Sequence, residues 1–207
     1  MKLLVILFTI LSSCIAYGQA KIPYIPISDP ISEGLLVGVT AEFTRAAQAN
    51  VPALVVEINS PGGDVDAGFK ISKLIEQAPF RVFCIVDGEA ASMAFYILQS
   101  CDARIMTERS LLMWHEISSG FRVNGNVDYF KRLGEQMTVR LTMMQKAANR
   151  HIAHRLSISP EEVGAKVEHG GEWWLDIESA LNVGAVDIIA KTVRDARRMI
   201  LIQISQG

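Results

Sequence analysis

The chain has 207 residues, of which 50% are hydrophobic and 20% charged, a composition that suits one globular domain with an ample core and leaves little room for a second. Its net charge is -2, and its basic residues are scattered apart from the cluster Arg194, Arg197 and Arg198, which excludes the basic stripe of a nucleic-acid-binding protein. Three cysteines without a Cys-x-x-Cys exclude a disulfide framework and a zinc ribbon.

The first segment reads as an export address. Lys2 precedes an apolar run from Leu3 to Leu11 that is too short to cross a bilayer comfortably, and small residues follow in the order a secretory signal requires. Residues 1–18 are therefore expected to be removed, leaving 19–207 as the functional domain. Two cleavage points compete. Leu11-Ser12-Ser13-Cys14 has the form of a bacterial lipoprotein box, which would leave Cys14 lipidated and the protein anchored to a membrane. Cleavage after Ala16-Tyr17-Gly18 would free a soluble protein.

Beyond it, short apolar runs alternate with longer segments of helical period, which predicts an α/β domain with a largely parallel sheet. Ile22 to Ile27 is strand-like, and a helix is expected from about Ile31 to Ala49. Val51 to Ile58 and Arg81 to Val86 are continuous apolar runs typical of strands covered on both faces. Between them a second helix runs from Val65 to Gln77 and stops before Pro79. A third helix begins near Ala91, and strands follow at Ala103 to Met106 and Leu111 to Trp114. The glycines and polar residues from Ser118 to Asn126 suit a protruding hairpin or loop, after which the longest helix runs from Val127 to about His154. Ser159-Pro160-Glu161-Glu162 has the capping-box pattern of a further helix start. Trp173 to Leu175 and Ala185 to Ile189 read as late strands flanking a short helix capped by Asp176. Cys84 and Cys101 read as buried small apolar residues in preference to a bridge, which an oxidising compartment would permit if the two face each other.

Ser60-Pro61-Gly62-Gly63 is a turn whose two glycines let the backbone approach a ligand and aim its N–H groups at an oxyanion. Asp87 to Ala94 places Ser92 at the start of a helix just beyond a buried strand, where the amide of Met93 would complete the oxyanion site opened by Gly63. In an arbitrary α/β protein such a serine would simply cap the helix. A serine nucleophile needs a base, and His115 ends a strand that can deliver its ring to the same sheet edge. His169, in a glycine-flanked loop, is a weaker candidate, and His151 and His154 read as ordinary helix residues, so no metal and no cofactor is expected.

Ile58-Asn59-Ser60-Pro61-Gly62-Gly63, Gly88-Glu89-Ala90-Ala91-Ser92-Met93, Met113-Trp114-His115 and Val183-Gly184-Ala185-Val186-Asp187, in this order and spacing, resemble the Clp protease proteolytic subunit family from roughly Ile25 to Ile189. The resemblance implies a crotonase-like α/β fold, with a protruding hairpin and long helix through which chains assemble into homo-oligomeric rings. It implies a serine endopeptidase with a Ser-His-acid triad, in which Ser92 is the nucleophile, His115 the base, and the amides of Gly63 and Met93 the oxyanion donors. Counting back from Gly184-Ala185-Val186-Asp187 puts the family's aspartate on Glu172, one methylene longer; Asp176 is the competing acid and Glu168 a further one. The family's N-terminal segment, which contacts an ATP-driven unfoldase, has no counterpart before Ile22. The expectation is therefore an ATP-independent peptidase of the cell envelope or periplasm, acting on peptides or unfolded segments that pair with a sheet edge or with the hairpin near Phe121-Arg122-Val123. Three rivals remain: a serine-lysine envelope peptidase similar to signal peptide peptidase A, with Lys131 or Lys146 as base; a catalytically silent assembly module; and a crotonase-type enzyme acting on acyl-thioesters.

Overall fold

The computed structural model describes residues 22–118 and 124–206. The expected signal segment, Cys14 and the substrate-pairing residues Phe121-Arg122-Val123 lie outside the described residues.

Seven strands form one sheet: β1 (Tyr24–Ile27), β2 (Ala53–Ser60), β3 (Arg81–Ala91), β4 (Ala103–Thr107), β5 (Leu111–His115), β6 (Glu172–Leu175) and β7 (Ile188–Ala190). The main path runs β1-β2-β3-β4-β7 and is parallel throughout. β5 pairs parallel with the far end of β3, and β6 pairs antiparallel with β5. Among the described residues there are seven α-helices, α1 (Glu33–Gln48), α2 (Val65–Glu76), α3 (Met93–Leu98), α4 (Val127–Arg155), α5 (Pro160–Ala165) and α6 (Ile177–Asn182) between strands and α7 (Val193–Ser205) after the last.

Alternation along the central strands sends their apolar side chains to both faces, as a sheet covered on two sides requires. Leu54, Val56, Ile58, Val82, Cys84 and Val86 join the larger core with Val39 and Phe43 of α1 and Ile71 and Ile75 of α2. Val55, Phe83, Ile85 and Ile105 join a smaller core on the other face, closed by Ala196 and Ile200 of α7. That last helix is absent from the sequence expectation, although Val193, Ala196, Ile200 and Ile204 recur at helical spacing and its buried stripe is built from them.

Most boundaries move by a residue or two for local reasons. α1 starts at Glu33 because Ser32 caps it, its side chain accepting from the Leu35 amide, and Ile31 instead bridges to Gly63. Ser159 and Asp176 form the capping boxes of α5 and α6. The third helix starts after Ser92, because β3 continues through Gly88 to Ala91. The preference for unbridged cysteines is overturned: Cys84 in β3 and Cys101 beyond α3 are joined in a disulfide, their Cα atoms 5.9 Å apart and both residues fully buried. Both side chains enter the larger core from neighbouring elements, a tertiary proximity that residues 17 apart do not announce.

Arg104, almost wholly buried in β4, is the one buried charged residue among the described residues. Its guanidinium donates to Asp187 Oδ1 at 2.6 Å and Oδ2 at 3.1 Å and to Gln99 Oε1 at 2.6 Å. Burial pushes the Asp187 carboxyl up, but the hydrogen bonds and charge of Arg104, with Arg155 behind it, outweigh this and hold it below its ordinary value. A carboxyl depressed on folding stabilises the fold above its unfolded value of about 4, and that contribution is lost as pH falls through the folded value. Asp187→Asn is therefore less stable than wild type at pH 7, and its urea midpoints at pH 7 and pH 2.5 lie closer together.

Candidate active site

The last third of β3 builds the site. Beyond Val86 the strand leaves β4, and Glu89, Ala90 and Ala91 pair instead with Leu111, Leu112 and Met113 of β5. The Ser92 amide donates to Met113 O at 2.8 Å, so the residue after β3 is tied to the strand that ends in His115.

At Ser92 the chain turns sharply into α3, with φ 55° and ψ -120°. Such a conformation is costly for any residue with a Cβ and persists where surrounding structure enforces it, which is common at reactive serines. The Ser92 side chain makes no capping hydrogen bond. Helix capping, the ordinary use of such a serine, is therefore not its role here.

The Ser60-Pro61-Gly62-Gly63 turn packs directly against this corner. A Cβ on Gly62, whose φ is 89°, would lie 2.6 Å from both Ala91 O and Ser92 Cβ and 2.9 Å from the Met93 nitrogen, so only glycine allows the approach. Ser60 Oγ accepts from the Gly62 amide at 3.2 Å and donates to Asp29 O at 2.8 Å, which fixes the turn. Gly62 O accepts from Ile31 N and Ile31 O from Asp64 N, leaving the Gly63 amide between them without a protein acceptor among the described residues. The Met93 amide, first in α3, likewise has none. Two free backbone donors beside a hydroxyl are what an oxyanion site needs.

His115 closes β5. Its Nδ1 donates to Glu116 O at 2.6 Å, a tautomer that leaves Nε2 unprotonated and able to accept a proton. Among the described residues no hydrogen bond joins that ring to Ser92 Oγ. The register sets Glu172 directly across from His115. Yet the Glu172 carboxylate takes its hydrogen bond from Trp174 Nε1 at 2.9 Å, and no ion pair joins it to His115 among the described residues. Asp176 is committed to α6, Oδ1 accepting from the Ser179 hydroxyl and from Ser179 N at 2.9 Å, and these bonds hold its carboxyl below the ordinary value. Glu168 lies in the 3-10 turn Glu168–Gly170, and the rival bases Lys131 and Lys146 are exposed on α4. His169 occupies the same turn at φ 61°.

Sequence reasoning missed three supports. Gln145 Oε1 accepts from Ile117 N at 2.6 Å, and Asn149 Oδ1 accepts from Trp114 Nε1 at 3.4 Å, so α4 grips the chain on either side of His115. Glu116 supplies the carbonyl that selects the His115 tautomer, and its carboxylate accepts from the Gly170 amide at 3.1 Å. No motif flags these residues; Gln145 and Asn149 are only visible as an i, i+4 polar pair on a helix face that turns inward. His151, read as an ordinary helix residue, is half-buried and makes tertiary contacts: its ring stacks on Tyr96 with centroids 4.2 Å apart and bonds Ser100 Oγ at 3.2 Å. Burial lowers its basicity.

Comparison with known proteins fits this geometry. The chain is 23% identical over 178 residues, 84% of each chain, to the "ATP-dependent Clp protease proteolytic subunit 2" of Pseudomonas aeruginosa. It is 28% identical over 164 residues, 77% of this chain and 78% of the other, to the protein of the same description from Treponema pallidum. A ClpP1 mutant from Listeria monocytogenes superposes with a TM-score of 0.70 at 21% identity, covering 83% of this chain and 93% of that one, which shows a common fold. The family model described as Clp protease matches residues 20–193, nearly the whole of the described chain, and the protein belongs to that family.

Proposed function

We propose that the protein is a serine endopeptidase that cleaves peptides or unfolded segments through Ser92, His115 and Glu172. Ser92 Oγ attacks the substrate carbonyl as its proton passes to His115 Nε2, and the Gly63 and Met93 amides hold the oxyanion. His115 returns that proton to the leaving amine as the C–N bond breaks, giving an acyl-enzyme. Water then attacks the ester, losing its proton to His115, and Ser92 recovers it when the ester bond breaks. The observation that carries the reading is the Ser92 corner: a serine held at positive φ and packed against the Gly62-Gly63 turn, its hydroxyl without a hydrogen-bond partner and the Gly63 and Met93 amides without acceptors among the described residues.

Export to a bacterial envelope, as a soluble or lipid-anchored protein, is part of the proposal, and the Cys84–Cys101 bridge supports it, because such bonds persist in oxidising compartments. Peptidase action there is independent of ATP. Assembly into a homo-oligomeric ring is supported by α4, whose Val127, Tyr129, Phe130, Val139 and Met143 are exposed. The alternative of a catalytically silent module is favoured by one observation, the separation of the Glu172 carboxylate from His115.

Intact mass after fluorophosphonate treatment separates the two. The expected result is one adduct per chain, mapped to the peptide containing Ser92, absent in Ser92→Ala and at least about 100-fold slower to form in His115→Ala. A folded wild type that forms no adduct is a silent module. Loss of labelling with Lys131→Ala or Lys146→Ala but not His115→Ala would move the base to the lysine.

A further inference from the structure

Acid and base of the proposed triad face each other across two strands, yet each is bonded to something else. β5 and β6 pair His115 with Glu172, so the two side chains leave the same face, and Trp174, two residues on, shares that face. The Trp174 indole donates to Glu172 Oε2 at 2.9 Å, while His115 Nδ1 donates to Glu116 O at 2.6 Å. Glu116 is fixed in turn by the Gly170 amide.

We propose that Trp174 is a positioning residue of the active centre: its indole N–H holds the Glu172 carboxylate away from His115, and the triad closes only when that bond is exchanged. The inference rests on the Ser92-His115-Glu172 reading. Closing the triad swaps two hydrogen bonds for one charge-assisted bond: Nδ1–H leaves the Glu116 carbonyl for the Glu172 carboxylate as the carboxylate leaves the indole. The glutamate's length makes this exchange feasible. Its additional methylene lets the carboxylate swing between a neighbour two residues along its own strand and the imidazole opposite by side-chain rotation, with no backbone movement. An aspartate at the same Cα has a shorter reach and one fewer torsion to divide between two partners. The lock is modest in strength, because Trp174 is 46% exposed and water competes for its donor.

Trp174→Phe keeps an aromatic ring at this half-exposed strand position and removes the donor together with the second ring. The expected result is fluorophosphonate labelling about three- to ten-fold faster than wild type, the range that one hydrogen bond in water controls. The gain disappears in the Glu172→Gln background. A second measurement needs no catalysis: the His115 imidazole C–H protons, followed by NMR, titrate with a higher midpoint in Trp174→Phe than in wild type, because a carboxylate now faces the ring. In Glu172→Gln/Trp174→Phe the midpoint does not rise relative to Glu172→Gln. An unchanged or lowered His115 midpoint in Trp174→Phe overturns the proposal, as does slower labelling, which would make the indole a support of the acid. If neither wild type nor Trp174→Phe labels while the midpoint still rises, the lock stands and the hydrolase reading falls by itself.

Discussion

Ser92→Gly loses the fluorophosphonate adduct completely and yet unfolds at a higher temperature than wild type. The wild-type serine sits at φ 55° and ψ -120°, a region natural only to glycine, and holding a side chain there costs about 1–3 kcal/mol. Glycine relieves that strain while giving back roughly 0.5–1 kcal/mol through its greater freedom in the unfolded chain. A net gain of about 1 kcal/mol raises the melting temperature of a domain this size by roughly 2–4 °C. Turnover moves the other way, since loss of a serine nucleophile costs about 10⁴- to 10⁶-fold. Ser92→Ala is the control: it keeps Cβ and the strain, so it loses the adduct and melts with wild type. Calorimetry of the three proteins decides the matter. Equal or lower melting of Ser92→Gly would show that neighbouring contacts, such as the Met113 bond to the Ser92 amide, already favour this conformation for a serine.

Removing the Cys84–Cys101 bridge has a larger effect on stability. The bond closes a 17-residue span that includes Ser92 and the whole of α3. Restricting a loop of that length in the unfolded chain is worth about 3 kcal/mol. Cys84→Ala/Cys101→Ala is therefore expected to lose about 3 kcal/mol, or roughly 6–12 °C in melting temperature, against oxidised wild type. Both sulfurs are fully buried, so the space they vacate adds to the loss. Urea unfolding of oxidised, reduced and double-alanine proteins tests this. Equal midpoints for oxidised and reduced wild type would mean the bridge restrains nothing that packing does not already restrain. Because the span carries Ser92, the proposed nucleophile, the reduced protein should also label more slowly per folded molecule.

What could be read in advance was whatever depends on neighbours in the chain. The turns at Ser60–Gly63 and Gly88–Ser92 and the strand ending in His115 are set by local backbone, and the structure has the two turns and the strand where their order puts them. Ser159 and Asp176 cap as expected because a cap reaches only three residues ahead. The cysteine bridge was misjudged because it depends on how β3 and α3 dock. Nor did the sequence disclose that β3 runs on through Gly88 to Ala91, since glycine there resembles a turn until β5 is seen pairing with it. For the candidate acid only the backbone was legible: Glu172 does lie opposite His115, but its carboxylate accepts from Trp174, a residue no triad pattern contains.

α4 has 29 residues and is about 44 Å long, but its buried side chains, Ala148, Asn149, Ile152 and Ala153, all lie near its C-terminal end. Along the first five turns, among the described residues, no side chain is fully buried and the single ion pair to the rest of the chain, Arg140 with Asp66 of α2 at 3.7 Å, is exposed, and a helix held by little besides its own backbone is marginal in water. If chains assemble through this helix as proposed above, whether that half stays wound is a matter of mass action: the partner surfaces that would cover the exposed Tyr129, Phe130 and Val139 are present at high protein concentration and lost on dilution. Diluting the protein should thus unwind one end of a single helix while the sheet, and the residues it carries, remain intact.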